Sequence, residues 1–73
     1  MKYVKIEVWV PEGLAKFLED ASHLINVKKY LTEAIIHIVK ADFGDNPLLR
    51  TAEIKEKYQV DKWEEILKED ILL

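Results

Sequence analysis

The sequence predicts a mainly α-helical domain with one short N-terminal strand, and three observations carry that prediction. From Tyr3 to Val10, the residues Val4, Ile6, Val8 and Val10 alternate with Tyr3, Lys5, Glu7 and Trp9, the period of a strand with one buried face. Between Glu12 and Phe43 two apolar stripes recur at helical spacing. No second strand follows, so the backbone N–H and C=O groups of the first need a partner from outside the chain. A second copy is the simplest one.

The strand is expected to end at Pro11, which cannot donate to a ladder but suits a helix's first turn. A first helix is then expected over Glu12 to Ile25, with Leu14, Phe17, Leu18, Ala21, Leu24 and Ile25 on one stripe and Lys16, Glu19, Asp20 and His23 solvated. Asn26 is a good N-cap for a second helix from Val27 to about Phe43, and Gly44 a natural residue just beyond it. Ten of those seventeen positions are apolar, which predicts a central helix covered on one side by the first helix and on another by a partner subunit. Ile35 to Val39 taken alone also reads as a buried strand, but Lys28 to Ala34 shows no strand alternation. Helix is preferred for that reason.

Asp45, Asn46 and Pro47 read as a turn, with a third helix from Leu48 to Tyr58 burying Leu48, Leu49, Ala52 and Ile54. Asp61 and Glu64 have the spacing of a capping box, and a last short helix should carry Trp63, Ile66, Leu67 and Ile71 on one face. The division expected is therefore a core at 1–44 and a C-terminal helical extension at 45–73, packed on the dimer.

Length and composition support association. A lone chain of 73 residues buries only about 60% of its unfolded surface and is marginal by itself. Small folds usually need disulfides, a metal or a partner, and this chain has no cysteine. That absence, with no signal-peptide pattern at the N-terminus, points to an intracellular (cytoplasmic or host-cytoplasmic) protein. No apolar run approaches the roughly 20 residues of a membrane span. The net charge of −3 is unevenly spread: Met1 to Lys40 carries six lysines against five acidic residues, net +1, and Ala41 to Leu73 five basic against nine acidic, net −4. An anion-binding surface belongs in the first half. The usage of Lys, Glu and Ile with few glycines leans toward a thermophilic source.

The order strand, helix, helix over Lys5 to about Lys40, with Ile6-Glu7-Val8-Trp9-Val10-Pro11-Glu12 at the junction, Leu14 to Leu18 opening the first helix and Thr32-Glu33-Ala34-Ile35 inside the second, resembles the ribbon-helix-helix family of dimeric DNA-binding proteins. With its extra C-terminal helices the chain looks most like the small ribbon-helix-helix proteins of hyperthermophilic archaea and their viruses. The resemblance implies a homodimer whose two strands pair into an antiparallel ribbon that enters the major groove of double-stranded DNA. It implies a transcriptional regulator or repressor, with Lys5, Glu7 and Trp9 toward the bases and Tyr3 at the rim. It also implies a phosphate anchor at Asn26, Lys28 and Lys29, where two lysines in a helix's first turn are unfavourable until an anion binds.

Other readings of these residues stay open. Lys28 and Lys29 also fit an ordinary solvated turn, and Trp9 fits packing across a ribbon as well as DNA contact. The acidic segment Asp61 to Leu73, with its apolar stripe Trp63, Ile66, Leu67 and Ile71, either folds back on the dimer or clasps a protein partner, as in antitoxins of similar layout. His23 and His37 lack metal-ligand spacing, so no metal or cofactor is expected. No nucleophile-base pair, glycine-rich phosphate loop or carboxylate dyad appears, and an enzyme is not expected.

Overall fold

The computed structural model describes residues 2–44 and 51–72, and among them every regular element is helical. Helix α1 spans Glu12–Ala21, α2 Val27–Phe43 and α3 Ala52–Tyr58. A 3-10 helix over Val60–Lys68 and a 3-10 turn at Asp70–Leu72 follow. The turn at Asp45, Asn46 and Pro47, and the burial expected at Leu48 and Leu49, lie outside the described residues.

The expected ribbon-helix-helix architecture is overturned. Residues 2–11 have no regular secondary structure, and residues 2–10 take no part in any backbone hydrogen bond among the described residues. The physical reason is that a strand exists only with a neighbour to take its backbone groups, and the described remainder of the chain is helical, its amides committed internally. Alternation reports which side chains want burial on one face; it supplies no edge to pair with.

Helix α1 starts where Pro11 predicts, with the Pro11 carbonyl accepting from Ala15 N–H at 3.1 Å. It stops at Ala21, four residues before Ile25. Ser22 turns its hydroxyl back onto the Glu19 carbonyl, and the chain tightens through Leu24 N–H to the Ala21 carbonyl at 2.9 Å. Serine competes with the helix for its own backbone in this way.

Helix α2 has the expected bounds. The Asn26 side chain accepts from Lys29 N–H at 3.1 Å, closing the N-terminus. Gly44 follows Phe43 with right-handed helical dihedrals (φ −57°, ψ −37°), so it is not present for a left-handed turn. A Cβ there would lie 2.5 Å from the Lys40 carbonyl oxygen, which is the reason a glycine fits. Thr51 caps α3 by accepting from Ile54 N–H at 3.2 Å, and Gln59 ends it with φ 53°, a left-handed backbone in which its N–H reaches the Glu56 carbonyl.

Packing is concentrated in one place. The 3-10 helix lies on α2, and α3 and the terminal 3-10 turn lie on the 3-10 helix; α1 takes no part in these contacts. Among the described residues the buried core consists of Ile36 of α2, 8% exposed, and Val60, 5% exposed. Trp63 donates its indole N–H to the Tyr58 carbonyl at 2.8 Å, and Lys40 is ion-paired with Glu64 across the α2 junction. That pairing explains why the expected capping box is not made: the Glu64 carboxylate is held by Lys40, and the segment begins without a side-chain cap. It is 3-10 rather than α over nine residues, longer than such helices usually run.

Candidate nucleic-acid interface

Each residue proposed from the sequence for DNA contact can be located. Lys5, Glu7 and Trp9 are exposed, and Trp9 fully so at 102%. Their alternates Val4, Ile6 and Val8 are large exposed apolar residues too. The segment therefore has no inner and outer face, and the three polar positions are not presented as a set.

Tyr3 differs from its neighbours. It is half-buried, and its phenol pKa is raised, first by desolvation and then by the nearby carboxylates of Glu69 and Glu65. A tyrosine flanked by two carboxylates is a poor neighbour for a phosphate.

At the start of α2, the Asn26 carboxamide is used at both ends. Its oxygen caps the helix, and its Nδ2 donates to the Leu72 carbonyl at 2.8 Å, linking positions 46 residues apart. Asn26 is thus a structural cap and a tether, with little left to offer a ligand. Lys28 and Lys29 are exposed in the first turn, which holds no acidic residue. Lys2, Lys5, Lys28 and Lys29 make no ion pair among the described residues, whereas Lys16 pairs with Glu12 at 3.3 Å and Lys40 with Glu64. Beside Lys28 an open groove of about 590 Å³ runs between the two helices, floored by Ala15, Leu18, Ile25 and Val27.

The stripe offered to a protein partner is largely used within the chain. Trp63, Ile66 and Leu67 are half-buried in the 3-10 helix that lies on α2, and Ile71 stays exposed. His37 Nε2 stands 3.6 Å from Glu33 one helical turn away, and among the described residues no three His, Cys, Asp or Glu side chains are grouped to hold a metal ion. No described helix is long and apolar enough to cross a membrane.

The contacts that sequence reasoning missed come from the last segment: Glu64 at Lys40 and Leu72 at Asn26. The signal available was the opposite charge of the two halves, which favours docking one on the other. No protein-family model, curated protein or solved structure matches this chain.

Proposed function

We propose that the chain is a homodimeric protein that binds double-stranded DNA and acts as a transcriptional regulator, contacting mainly phosphates and discriminating weakly between sequences. The observation that carries the reading is the surface of residues 2–44, which combines large apolar side chains left in water with four lysines that make no ion pair among the described residues.

The area supports association. The chain exposes 6632 Å², against about 4,700 Å² for a compact monomer of its mass. Its radius of gyration is 14.3 Å, against about 11 Å for a compact domain of this length. The excess, about 1,900 Å², is more than the roughly 800 Å² per partner of a standard interface. A dimer of the exposed faces of α1 and α2 and the turn between them, through Phe17, Leu24, Tyr30, Ile35 and Ile38, would cover much of it and needs no β-ribbon. Dimerisation also doubles the cations, and Lys2, Lys5, Lys28 and Lys29 have no ion pair among the described residues to break on meeting phosphates. Phosphate contacts fix position and not sequence, which is why weak discrimination belongs to the reading.

Solution mass and binding to an arbitrary labelled duplex across a salt series test both halves together. The expected result is a dimer whose log affinity falls with log salt, by about 0.9 per phosphate contacted. A protein that stays monomeric at micromolar concentration and shows no salt-dependent binding would overturn the reading.

A further inference from the structure

Two apolar features of the described chain lack a cover, and their dimensions match. One is the N-terminal arm, residues 2–10, which takes part in no backbone hydrogen bond among the described residues and in which every residue except half-buried Tyr3 is exposed. Fully extended, Val4, Ile6 and Val8 share one face about 6.6 Å apart, so that Val4 to Val8 covers about 13 Å. The other is the open groove between the two helices, floored by Ala15, Leu18, Ile25 and Val27. Its wall on α1 runs from Ala15 to Ser22, about 10 Å at the helical rise. To reach its own groove the arm would have to double back at Pro11, the N-cap of α1, whose backbone (φ −59°, ψ 145°) is extended and makes no such reversal. The arm of a second copy has no such constraint.

We propose that the arm of each protomer lies in the groove between α1 and α2 of the other, with Val4, Ile6 and Val8 against Leu18, Ile25 and Val27, so that the dimer is held by an exchange of arms. The inference rests on the homodimer reading above and names the segment that seals it. The exchange is reciprocal, so one two-fold contact covers both arms and both grooves. Area favours a second copy as the occupant: the chain exposes about 1,900 Å² more than a compact monomer, and each partner of a standard interface buries roughly 800 Å². The arm and groove adjoin the exposed faces of α1 and α2 and add to the area they offer. Exchange also makes the cationic surface composite. Lys5 lies on the opposite face of the extended arm from Ile6, and it would be carried to the edge of the groove, where Lys28 of the partner subunit stands.

The chain has no cysteine, so single cysteines introduced into it report on the contact. Ile6→Cys protein is mixed with Ala15→Cys protein and, in parallel, with Glu53→Cys protein, in which the new thiol lies on α3 outside the groove. Each mixture exchanges subunits and is then oxidised, and the solution mass of the parent is measured alongside. The expected result is a dimeric parent and a disulfide between positions 6 and 15 that outcompetes those between positions 6 and 53 and between two copies of position 6, since the bond needs Cα atoms within about 7 Å. Ile6→Glu should raise the dimer dissociation constant roughly tenfold or more and leave the melt of dilute protein unchanged, because the side chain is solvated until it enters the groove of the partner. A dimeric parent that links position 6 to 15 no more often than to 53 would overturn the exchange and leave the homodimer standing. Preferred links between two copies of position 6 would overturn it in favour of arms that meet each other. A monomeric parent with no preferred link would overturn both the exchange and the homodimer. Duplex binding is not read in this experiment, so the DNA half of the proposed function stands or falls on its own salt series.

Discussion

Residues 2–25 and the unit formed by α2 with the 3-10 helix meet the same requirement with opposite success. Both are rich in large apolar side chains. In the second, α2 and residues 60–72 bury Ile36 and Val60 against each other and fasten the junction with Lys40–Glu64 and Asn26–Leu72. In the first, Val4, Ile6, Val8, Trp9, Phe17 at 66% and Leu24 at 87% exposure stay in water, and α1 has no buried residue. The difference is not one of hydrophobicity, since α1 is as clearly striped as any helix here. It is that the second apolar surface has a covering segment among the described residues and the first has none, and the uncovered one is the surface the proposed dimer would use.

Two substitutions of similar size, one on each side, give the largest expected contrast. Ile36→Ala removes one of the two buried apolar side chains among the described residues and should cost on the order of 2–4 kcal/mol, a large share of a small domain's stability. Phe17→Ala should leave the unfolding of dilute protein nearly unchanged, because the ring is already solvated there. At high concentration it should weaken the proposed dimer and lower the concentration dependence of Tm. Denaturant melts at two protein concentrations separate the cases. Equal, concentration-independent losses for the two variants would mean that α1 is packed within the chain after all.

How much of this was legible follows the same division. Helix α2 could be read residue by residue, including the Asn26 cap, because the signals that set its ends lie within a few residues of them. The start of α1 at Pro11 was readable for the same reason. Its early end was less so, since it depends on Ser22 choosing its own backbone over continued helix. The N-terminal segment misled because alternation between Tyr3 and Val10 states a preference that only a neighbouring strand could realise, and the chain contains none among its described residues. Asp61 and Glu64 misled for a related reason: the spacing of a cap is local, but the Glu64 carboxylate is taken by a lysine 24 residues away. Among the candidate site residues, Lys5, Lys28 and Lys29 stayed exposed as expected. Tyr3 and Asn26 were claimed by long-range partners that no local pattern announces.

The two glycines offer a smaller contrast of the same kind, between a position in open space and one in contact. A Cβ at Gly13, in the first turn of α1, meets nothing within 4 Å, so Gly13→Ala should stabilise by up to about 0.5–1 kcal/mol through helix propensity and a less free unfolded chain. Gly44→Ala should destabilise by roughly 1–3 kcal/mol, because the added carbon meets the backbone oxygen of Lys40 and the end of α2 must shift. Thermal melts of the two variants should move in opposite directions. A gain from Gly44→Ala would mean that the end of α2 relaxes without cost.

The smallest effect expected is electrostatic, and it tests what holds the packed unit at its edge. The hydrogen bond from Lys40 holds the Glu64 carboxyl below the usual carboxylate range, against a partial desolvation that pushes the other way. A carboxylate with a depressed pKa stabilises the fold above its unfolded value of about 4.5 and loses that contribution as pH falls through its folded value. Both side chains keep a third or so of their surface in water, so solvent screening limits the pair to about 0.2–1 kcal/mol. Between pH 7 and pH 3 the parent should therefore lose slightly more stability than Glu64→Gln, which has no such proton to take up. Because Lys40 would then stand unpaired beside the junction of α2 and the 3-10 helix, the variant should also melt slightly lower at pH 7 and converge with the parent at pH 3. Parallel pH curves for the two proteins would mean that the ion pair contributes nothing, and that apolar contact around Ile36 and Val60 alone holds the last segment on α2.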